Sequence, residues 1–508
     1  MSKIIIERES PGKLEFKELP SQCALGGYFW RAAKSKGSPK LSVAVMSHRN
    51  LESLKACVGC LLDFAPAGLD YELVLMDNAS EDGGETLAFM ESVFHPRKKI
   101  IAMKDNMGPY FNAARGWSVL WSHCEGDYIL HLNDDHFVTE NAIFNMIRAL
   151  DSDDSIGMVN PVSSNAWMGQ NPGLSFGSSE EMQAAAKAFN AYDPKKWEER
   201  IYVAAVAWMF RRELLGCLTP ANPFGPELCY DIAIRLAGYR VMLLGDSWVH
   251  HNHDYSQKES YGFAGDSPAK IRQREYISRS TAHLSFGLSF FGDICAFEKP
   301  LASIMSPPIK ETPALLSVDV KAGQGLLDLK NALRARGIFN ATSAAFSSEA
   351  KYYPILYTVA DEVILDRVSH IREALSARKF DLIIAGVPVN LYLDPMGLLE
   401  ALLEALNPGG QLLFKLRNTS SAAYAQKMLG IADAAPDMPT VISETTLAQR
   451  LAAMGCPGAL ILPGEFLGSH NEIEAANLIS ASCPEEKREE LRARMLIRDF
   501  HVRATRPV

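Results

Sequence analysis

The sequence predicts an α/β protein with more than one domain. Short apolar stretches alternate with helical stretches from about residue 41 to residue 133, which is typical of a mostly parallel sheet covered by helices on both faces. The stretch FEKPLASIMSPPIKETP, with four prolines, interrupts this series, and a second series follows it. At 508 residues the chain is also too long for one ordinary domain.

The first series can be followed element by element. Its helices are predicted from Leu51 to about Phe64, from about Gly84 and from about Tyr110. Its strands are predicted at LSVAVMS, YELVLMD, KKIIAM and DYILHLN. The second series begins at ALLSVDV and continues nearly to the end of the chain.

These patterns divide the chain into four predicted segments. Residues 1–38 are polar and are expected to form an N-terminal extension. Residues 39–295 form the first α/β domain, and residues 296–313 form a linker. Residues 314–508 form the second α/β domain.

Composition restricts the class of protein. The 47% hydrophobic and 22% charged residues are typical of a soluble globular chain. The net charge of -9 disfavours broad binding to nucleic acid or to an anionic membrane. Nine scattered cysteines, an N-terminus without signal-peptide features and no apolar run of membrane-spanning length lead us to expect a cytoplasmic protein without a transmembrane segment.

Polar residues stand at the end of each early strand. The carboxyl ends of parallel strands meet at one edge of a sheet, where helix N-termini and loops converge on ligands. Any one of these residues alone is explained as a helix cap or turn residue, but four strand ends in succession indicate a site. They are Ser47 and His48, then Asp77, Asn78 and Ser80, then Asp105 and Asn106, then Asn133, Asp134, Asp135 and His136.

These segments resemble the family 2 glycosyltransferases, whose nucleotide-sugar domain has the GT-A fold. The resemblance covers about residues 39–260 and rests on SHRN, DNASEDG, NMGPYFNAARG and the acidic LNDD, which is similar to the family's DxD motif. It implies a GT-A domain with a mixed, mostly parallel sheet between helices. The implied activity is metal-dependent transfer of a sugar from a nucleotide-diphosphate donor, with a UDP-sugar as first choice, to a glycan or protein acceptor with inversion.

The resemblance also assigns donor-site residues. The acid that contacts uracil or ribose in the family corresponds to Asp77, and the last acid of DxD, which coordinates Mn²⁺ or Mg²⁺, corresponds to Asp135. Such a cation stabilises the charge of the departing diphosphate. Asn133 replaces the first acid of DxD, so Asp134 is expected to share its role by contacting the sugar. The expected donor-binding residues are Ser47, Asp77, Asn106, Gly108, Asp134 and Asp135.

A later segment, ELCYDIAIRLAGYRVMLLGDSWVHHNH, resembles the acceptor side of the family. Inverting transfer needs a carboxylate that takes the acceptor proton. Alignment on Asp231 and Arg235 puts Leu228 and Cys229 where an acidic pair usually stands. Asp231 is therefore the first candidate for the catalytic base, and Glu227 is the second. The alternative is structural, with Glu227 favoured by the helix dipole and Asp231 paired with Arg235.

Three histidines follow the last strand of this segment, at positions 250, 251 and 253. A neutral imidazole can complete the coordination of a cation, and the family often has a histidine here. His250 is the first choice as a metal ligand beside Asp135, and His253 is the second. Trp208 is a candidate wall of the sugar pocket, although a core position is the alternative.

The second half resembles the class I methyltransferases that use S-adenosylmethionine, on the segments ALLSVDVKAGQG, KFDLIIAG and LNPGGQLLF. A Rossmann-like α/β domain is therefore expected. In the cofactor loop Asp319, Gly323 and Gly325 remain, but Lys321 replaces the first glycine of the turn. Asp361 is the candidate for the acid that binds the ribose. Binding of S-adenosylmethionine is consequently doubtful.

Two alternatives to a plain glycosyltransferase stay open. In one, the protein is bifunctional, and its C-terminal domain binds S-adenosylmethionine and methylates the acceptor. In the other, that domain is a binding or homodimerisation module and the first domain sets specificity. A nucleic-acid acceptor is disfavoured by the acidic composition.

Overall fold

The computed structural model describes the backbone of residues 3–5, 15–18, 27–30, 39–106, 113–166, 168–218, 226–252, 283, 285–428 and 440–508. The chain divides into two compact units, which we call unit 1, residues 1–295, and unit 2, residues 296–508. Within the described residues, helices long and apolar enough to cross a bilayer are absent.

Unit 1 contains the four strands and three helices of the predicted series, in the predicted order, together with further elements. The expected start of the third helix near Tyr110 lies outside the described residues. Its helices are α1 (Leu51–Phe64), α2 (Glu85–Ser92), α3 (Ala113–Trp121), α4 (Ala142–Ser152), α5 (Ser179–Phe189) and α6 (Pro226–Leu236). Its strands are β1 (Lys3–Ile5), β2 (Glu15–Glu18), β3 (Gly27–Trp30), β4 (Leu41–Ser47), β5 (Tyr71–Asp77), β6 (Lys98–Ala102), β7 (Tyr128–Asn133), β8 (His136–Phe137), β9 (Ile156–Ser163), β10 (Trp197–Glu199), β11 (Met209–Arg211) and β12 (Arg240–His251).

The main sheet of unit 1 is mixed. Its strand order is β1-β6-β5-β4-β7-β11-β9-β12-β10, and β8 pairs with β12 beside this path. Strands β6, β5, β4 and β7 are parallel, as are β9 and β12, whereas β11 is antiparallel to both of its neighbours. Strand β1, from the segment predicted as an extension, pairs antiparallel with β6.

The register of the parallel strands brings their carboxyl ends level. Ser47 at the end of β4 is paired with Asp77 at the end of β5, and Asp77 is paired with Ala102 at the end of β6. On the other side of β4, Met46 is paired with Asn133, the last residue of β7. The polar residues that follow all four strands therefore emerge at one edge of the sheet.

Successive side chains of each strand point to opposite faces of this sheet, and both faces are buried. Val43 and Leu73 belong to the core that includes residues of α1 and α4. Their neighbours Ala44 and Val74 point to the other face, where the core includes Trp117 of α3. A strand buried on both faces reads as a continuous apolar run, which is why LSVAVMS and YELVLMD were recognisable in the sequence.

Unit 2 is also an α/β unit, with a Rossmann-like sheet. Its strands lie in the order β15-β14-β13-β16-β17-β19-β18, parallel from β15 to β17, with β19 antiparallel to both of its neighbours. They are β13 (Ala314–Val318), β14 (Thr342–Ser347), β15 (Glu362–Leu365), β16 (Phe380–Ala385), β17 (Leu406–Arg417), β18 (Leu460–Pro463) and β19 (Asp499–Thr505). The helices are α7 (Lys299–Ser303), α8 (Gln324–Arg334), α9 (Tyr353–Leu356), α10 (Ile371–Ala374), α11 (Pro395–Glu404), α12 (Ala422–Met428), α13 (Glu444–Ala453), α14 (His470–Ala481) and α15 (Glu485–Met495).

Residues 296–313, predicted as a linker, lie within unit 2. They contain α7, whose Leu301 is fully buried. Glu298, just before this helix, forms a 2.6 Å ion pair with Lys415 of β17. The prolines that suggested a linker therefore interrupt a segment that is anchored to the sheet of unit 2.

His131 of β7 lies in an aromatic cluster on one face of the unit 1 sheet. Its ring centroid is 5.2 Å from that of Trp117 and 6.1 Å from that of Trp208. Trp121 Nε1 donates to His131 Nδ1 at 3.3 Å, and His131 Nε2 lies 3.3 Å from Asn133 Oδ1. Because the ring is fully desolvated, its pKa falls to about 3.

We predict that His131 makes the stability of unit 1 depend on pH. Below about pH 6.5 the unfolded residue binds a proton, whereas the folded residue, with a pKa of about 3, stays neutral. The contribution of His131 to the free energy of unfolding is therefore full above pH 6.5 and declines as the pH falls towards 3. Between pH 7 and pH 5 this lowers the free energy of unfolding by about 2 kcal/mol.

Urea unfolding followed by tryptophan fluorescence measures this effect, because all seven tryptophans lie in unit 1. His131→Gln keeps a hydrogen-bond acceptor but has no titrating group. Between pH 7 and pH 5, the free energy of unfolding of this variant should therefore fall by about 2 kcal/mol less than that of the wild type. Equal changes in the two proteins would contradict the prediction.

Candidate functional site

Three strand ends are joined by side chains at the carboxyl edge of the unit 1 sheet. His48 Nδ1 lies 3.0 Å from the Asn78 carbonyl oxygen, and Asn106 Nδ2 lies 3.1 Å from His48 Nε2. Asn78 Nδ2 donates to Asn106 Oδ1 at 3.0 Å and closes the triangle. Burial lowers the pKa of His48 and favours its neutral form. His48, which follows β4, therefore contacts the residues that follow both β5 and β6.

Asp77 is half-buried beside this triangle. Its Oδ1 accepts hydrogen bonds from Ser80 N at 2.9 Å and from Ser80 Oγ at 2.6 Å. Both bonds engage the same oxygen and fix the orientation of the carboxylate. Burial raises the pKa of Asp77.

Asp134 and Ser47, both expected at the donor, bind each other. Ser47 Oγ donates to Asp134 Oδ2 at 2.8 Å, and His48 N approaches the same oxygen at 3.3 Å. Ser53 Oγ donates to the Asp134 carbonyl oxygen at 2.9 Å. Burial, followed by the charge of Asp135, raises the pKa of Asp134 to about 8. Asp134 thus ties β7 to β4.

Asp135, the next residue, faces two histidines. Its Oδ2 lies 3.2 Å from His251 Nε2, and its Oδ1 lies 3.6 Å from His136 Nε2. His136 and His251 are cross-strand partners in the antiparallel pairing of β8 with β12. Asp135, His136 and His251 form a group whose ligand atoms lie within 4.8 Å of one another.

The histidine that reaches Asp135 is His251, one residue from the predicted first choice. Successive side chains of a strand point to opposite faces, and His250 points away, with Nδ1 2.6 Å from Ser164 Oγ. Its ring packs against Phe137. His253 lies outside the described residues, as does Gly108. The pairing of β8 with β12 decides which histidine faces Asp135, and periodicity alone did not reveal this pairing.

A donor set of Asp135 and His251 fits a divalent cation. Ligands about 2.1 Å from a cation and at right angles to each other are about 3 Å apart, close to the observed 3.2 Å between Oδ2 and Nε2. The chemistry of the two groups, a carboxylate and an imidazole, suits Mn²⁺ better than Mg²⁺, which strongly prefers oxygen.

The acceptor-side acids lie on α6. Asp231 is fully buried, and its Oδ2 accepts from Val203 N at 2.9 Å. Burial raises its pKa well above the ordinary value, and the charge of Glu227 raises it further. Glu227 is half-buried in the first turn of α6, and burial raises its pKa as well. Arg235 forms a 2.8 Å ion pair with Glu199.

Trp208 belongs to the core. It is 2% exposed, and its ring centroid lies 5.2 Å from that of Trp117 and 6.1 Å from that of Tyr230. The structure therefore favours the core alternative over a wall of the sugar pocket.

In unit 2, the residues assigned to S-adenosylmethionine are used internally. Asp319 Oδ1 accepts from Ser348 N at 2.7 Å, and Asp319 Oδ2 accepts from Tyr392 OH at 2.8 Å. Gly323 has φ 110°, and a β-carbon there would lie 3.2 Å from Leu356 Cδ2. Both carboxylate oxygens of Asp319 therefore accept hydrogen bonds within unit 2, and the loop at Gly323 packs against an apolar side chain.

Asp361 cannot be the ribose-binding acid. Its Oδ2 accepts from Ser343 N at 2.7 Å, and its own N–H donates to the Ser343 carbonyl oxygen at 3.1 Å. Ser343 lies near the start of β14, so Asp361 is at the amino edge of the sheet. Ligands of such sheets bind at the carboxyl edge.

Comparison with known proteins identifies the first domain. Residues 42–219 match the family model described as Glycosyl transferase family 2. This match assigns a glycosyltransferase domain to residues 42–219 of unit 1. None of the curated proteins matches the chain significantly.

Three solved structures illustrate the distant likenesses. GalNAc-T7 with UDP, GalNAc and Mn²⁺ is 14% identical, with 46% of each chain covered and a TM-score of 0.34. The mannosyltransferase PcManGT from Pyrobaculum calidifontis, in complex with GDP-Man and Mn²⁺, is 15% identical, with 67% of this chain and 76% of that chain covered and a TM-score of 0.34. A SAM-dependent methyltransferase from Archaeoglobus fulgidus is 15% identical, with 50% of this chain and 100% of that chain covered and a TM-score of 0.29. Likenesses at this level carry no argument about substrate.

We predict that His251, and not its neighbour His250, contributes to cation binding. His251→Ala should weaken Mn²⁺ affinity by more than about tenfold, because an imidazole facing Asp135 is lost. His250→Ala removes the same side chain from the other face of β12 and should leave the affinity within about twofold. Mn²⁺ titration followed by the EPR signal of the free ion measures both, and the opposite ranking would contradict the assignment.

We further predict that S-adenosylmethionine does not bind unit 2. Isothermal titration into the full chain should show no saturable binding tighter than about 1 mM, because both oxygens of Asp319 already accept hydrogen bonds within the unit and Lys321 replaces the first glycine of the turn. Saturable binding that Gly323→Trp abolishes would refute this prediction and restore the bifunctional alternative.

Proposed function

We propose that this protein is a Mn²⁺-dependent glycosyltransferase that transfers a sugar from a nucleotide-diphosphate donor to a glycan or protein acceptor with inversion. The glycosyltransferase domain in residues 42–219 is the premise. The observation that carries the proposal is the approach of Asp135 Oδ2 to His251 Nε2 at 3.2 Å. They meet at the edge of the sheet where an α/β fold binds its ligands.

The proposed roles at the cation follow from the donor set. Asp135 and His251 would each supply one ligand atom to the cation, which would also bind the phosphates of the donor. Mn²⁺ bound in this way would neutralise charge on the departing diphosphate. Asp134 contributes indirectly, because its bonds to Ser47 and His48 hold the chain that carries Asp135.

The nucleoside is proposed to bind at Asp77. Ser80 holds the carboxylate through Oδ1, which orients Oδ2 for an N–H of uracil or a ribose hydroxyl. The side chains of His48, Asn78 and Asn106 form a polar rim beside it. A UDP-sugar remains the first choice of donor.

Glu227 is the acid that we propose as catalytic base. It is half-buried and retains some exposed surface, whereas Asp231 has none. Its raised pKa makes it a stronger proton acceptor once ionised. Asp231, bonded to the Val203 backbone, is proposed to support the loop beneath it. The order of the two candidates is thus the reverse of the one expected from the sequence.

Calorimetric titration tests the donor site. UDP should bind in the presence of Mn²⁺, more tightly than GDP or dTDP, and binding should be lost with EDTA or in Asp135→Ala. Asp154→Ala, which removes an exposed aspartate of the same unit, serves as the control and should bind normally. If none of these nucleotides binds the wild-type protein with Mn²⁺, the proposed function is wrong.

Paired amide variants test the base. Glu227→Gln should lower kcat by about 10²–10⁴ with little change in donor affinity, because the proton acceptor is removed. Asp231→Asn keeps an oxygen for the Val203 N–H and should retain most of the activity. The reverse result, with Asp231→Asn inactive and Glu227→Gln active, would restore Asp231 as the base.

A further inference from the structure

The ring of His136 faces Oδ1 of Asp135, the carboxylate oxygen that does not face His251. Its Nε2 lies 3.6 Å from Oδ1, while His251 Nε2 lies 3.2 Å from Oδ2. The ring of His136 is 1% exposed and meets that of His251 at an interplanar angle of 76°. Each oxygen of the Asp135 carboxylate therefore faces one imidazole. The hydrogen bonds of His136 distinguish its role from that of His251.

The other ring nitrogen of His136 is a double acceptor. Nδ1 receives the backbone N–H of Asn133 at 3.1 Å and that of Ala207 at 3.3 Å. A nitrogen that accepts hydrogen bonds carries no proton, so in the neutral ring the proton is on Nε2. This network assigns the tautomer and points an N–H, rather than a lone pair, at Asp135.

The tautomer decides what His136 can do at a cation. A histidine ligand must offer a lone pair, and His136 would have to lose its Nε2 proton or break both backbone bonds to provide one. Groups that donate to a ligating carboxylate orient it, and their loss typically weakens metal affinity about 10–100-fold.

We propose that His136 is a positioning residue and not a metal ligand. Its Nε2–H is directed at Oδ1 of Asp135 and turns Oδ2 towards His251 and the cation. At 3.6 Å the contact is longer than a hydrogen bond, so the proposal requires the two atoms to move closer when the cation is bound. This inference rests on the proposed function, because it assumes that Asp135 and His251 hold the ion.

Two variants of His136 separate its two hydrogen-bonding functions. His136→Asn places an oxygen near the position of Nδ1 and retains the backbone contacts, but it lacks the donor at Nε2. His136→Gln reaches the position of Nε2 with an N–H donor. We expect His136→Asn to weaken Mn²⁺ affinity about 10–100-fold and His136→Gln to recover a large part of that loss.

Pulsed EPR of bound Mn²⁺ supplies a readout that a purely structural role would not change. The nitrogen modulation from coordinated imidazole should persist in both His136 variants and disappear in His251→Gln, whose side-chain oxygen can reach the position of His251 Nε2. Modulation that persists in His251→Gln and disappears in His136→Asn would show that His136 is the ligand. Wild-type affinity in His136→Asn would also overturn the proposal.

Thermal unfolding of the metal-free proteins, followed by tryptophan fluorescence, checks that the His136 variants fold. If His136→Asn does not fold, His136→Gln decides alone: a loss of nitrogen modulation in that variant contradicts the proposal. Absence of Mn²⁺ binding to the wild type would refute the proposed function together with this inference. Normal wild-type binding with an unchanged His136→Asn would refute only the inference.

Discussion

The bond between the Asp134 carboxylate and the end of β4 is the contact on which the site depends. Ser47 Oγ and His48 N both approach Asp134 Oδ2, so the chain leaving β7 is held to β4. With Asp134 directed towards β4, the adjacent Asp135 is presented to β12, where its carbonyl oxygen accepts the Asn252 N–H at 2.8 Å. Burial, and then the charge of the adjacent Asp135, raise the pKa of Asp134, which reflects the cost of placing two neighbouring carboxylates here.

A single loop connects this edge with the acids of α6. Ala207 donates its backbone N–H to His136 at 3.3 Å, and Val203 donates its own to Asp231 at 2.9 Å. Ala207 has φ 54°, a left-handed conformation that costs about 1 kcal/mol in a residue other than glycine. The bond to His136 helps to offset that strain. The loop between these residues therefore has one anchor beside the proposed cation site and one beside the proposed acceptor side.

The sequence predicted those features that depend on local pattern. Strands such as β4 and β5 are buried on both faces and read as apolar runs, and the level strand ends followed from the parallel arrangement. The choice between His250 and His251 did not follow, because it depends on a short antiparallel pairing with β8 that periodicity does not encode. The bond between Asp134 and Ser47 did not follow either, since the two residues belong to different strand ends. Asp361 was misplaced because its hydrogen bonds hold it at the opposite edge of its sheet.

Anomalous diffraction at the manganese absorption edge, from crystals grown with UDP and Mn²⁺, tests the central claim most directly. The account predicts one strong peak about 2.1–2.4 Å from both Asp135 Oδ2 and His251 Nε2, with the diphosphate on its open side and His136 Nε2 outside the coordination shell. A nucleotide bound at this edge with no manganese peak, or with the peak coordinated by His136 or distant from Asp135, would contradict it.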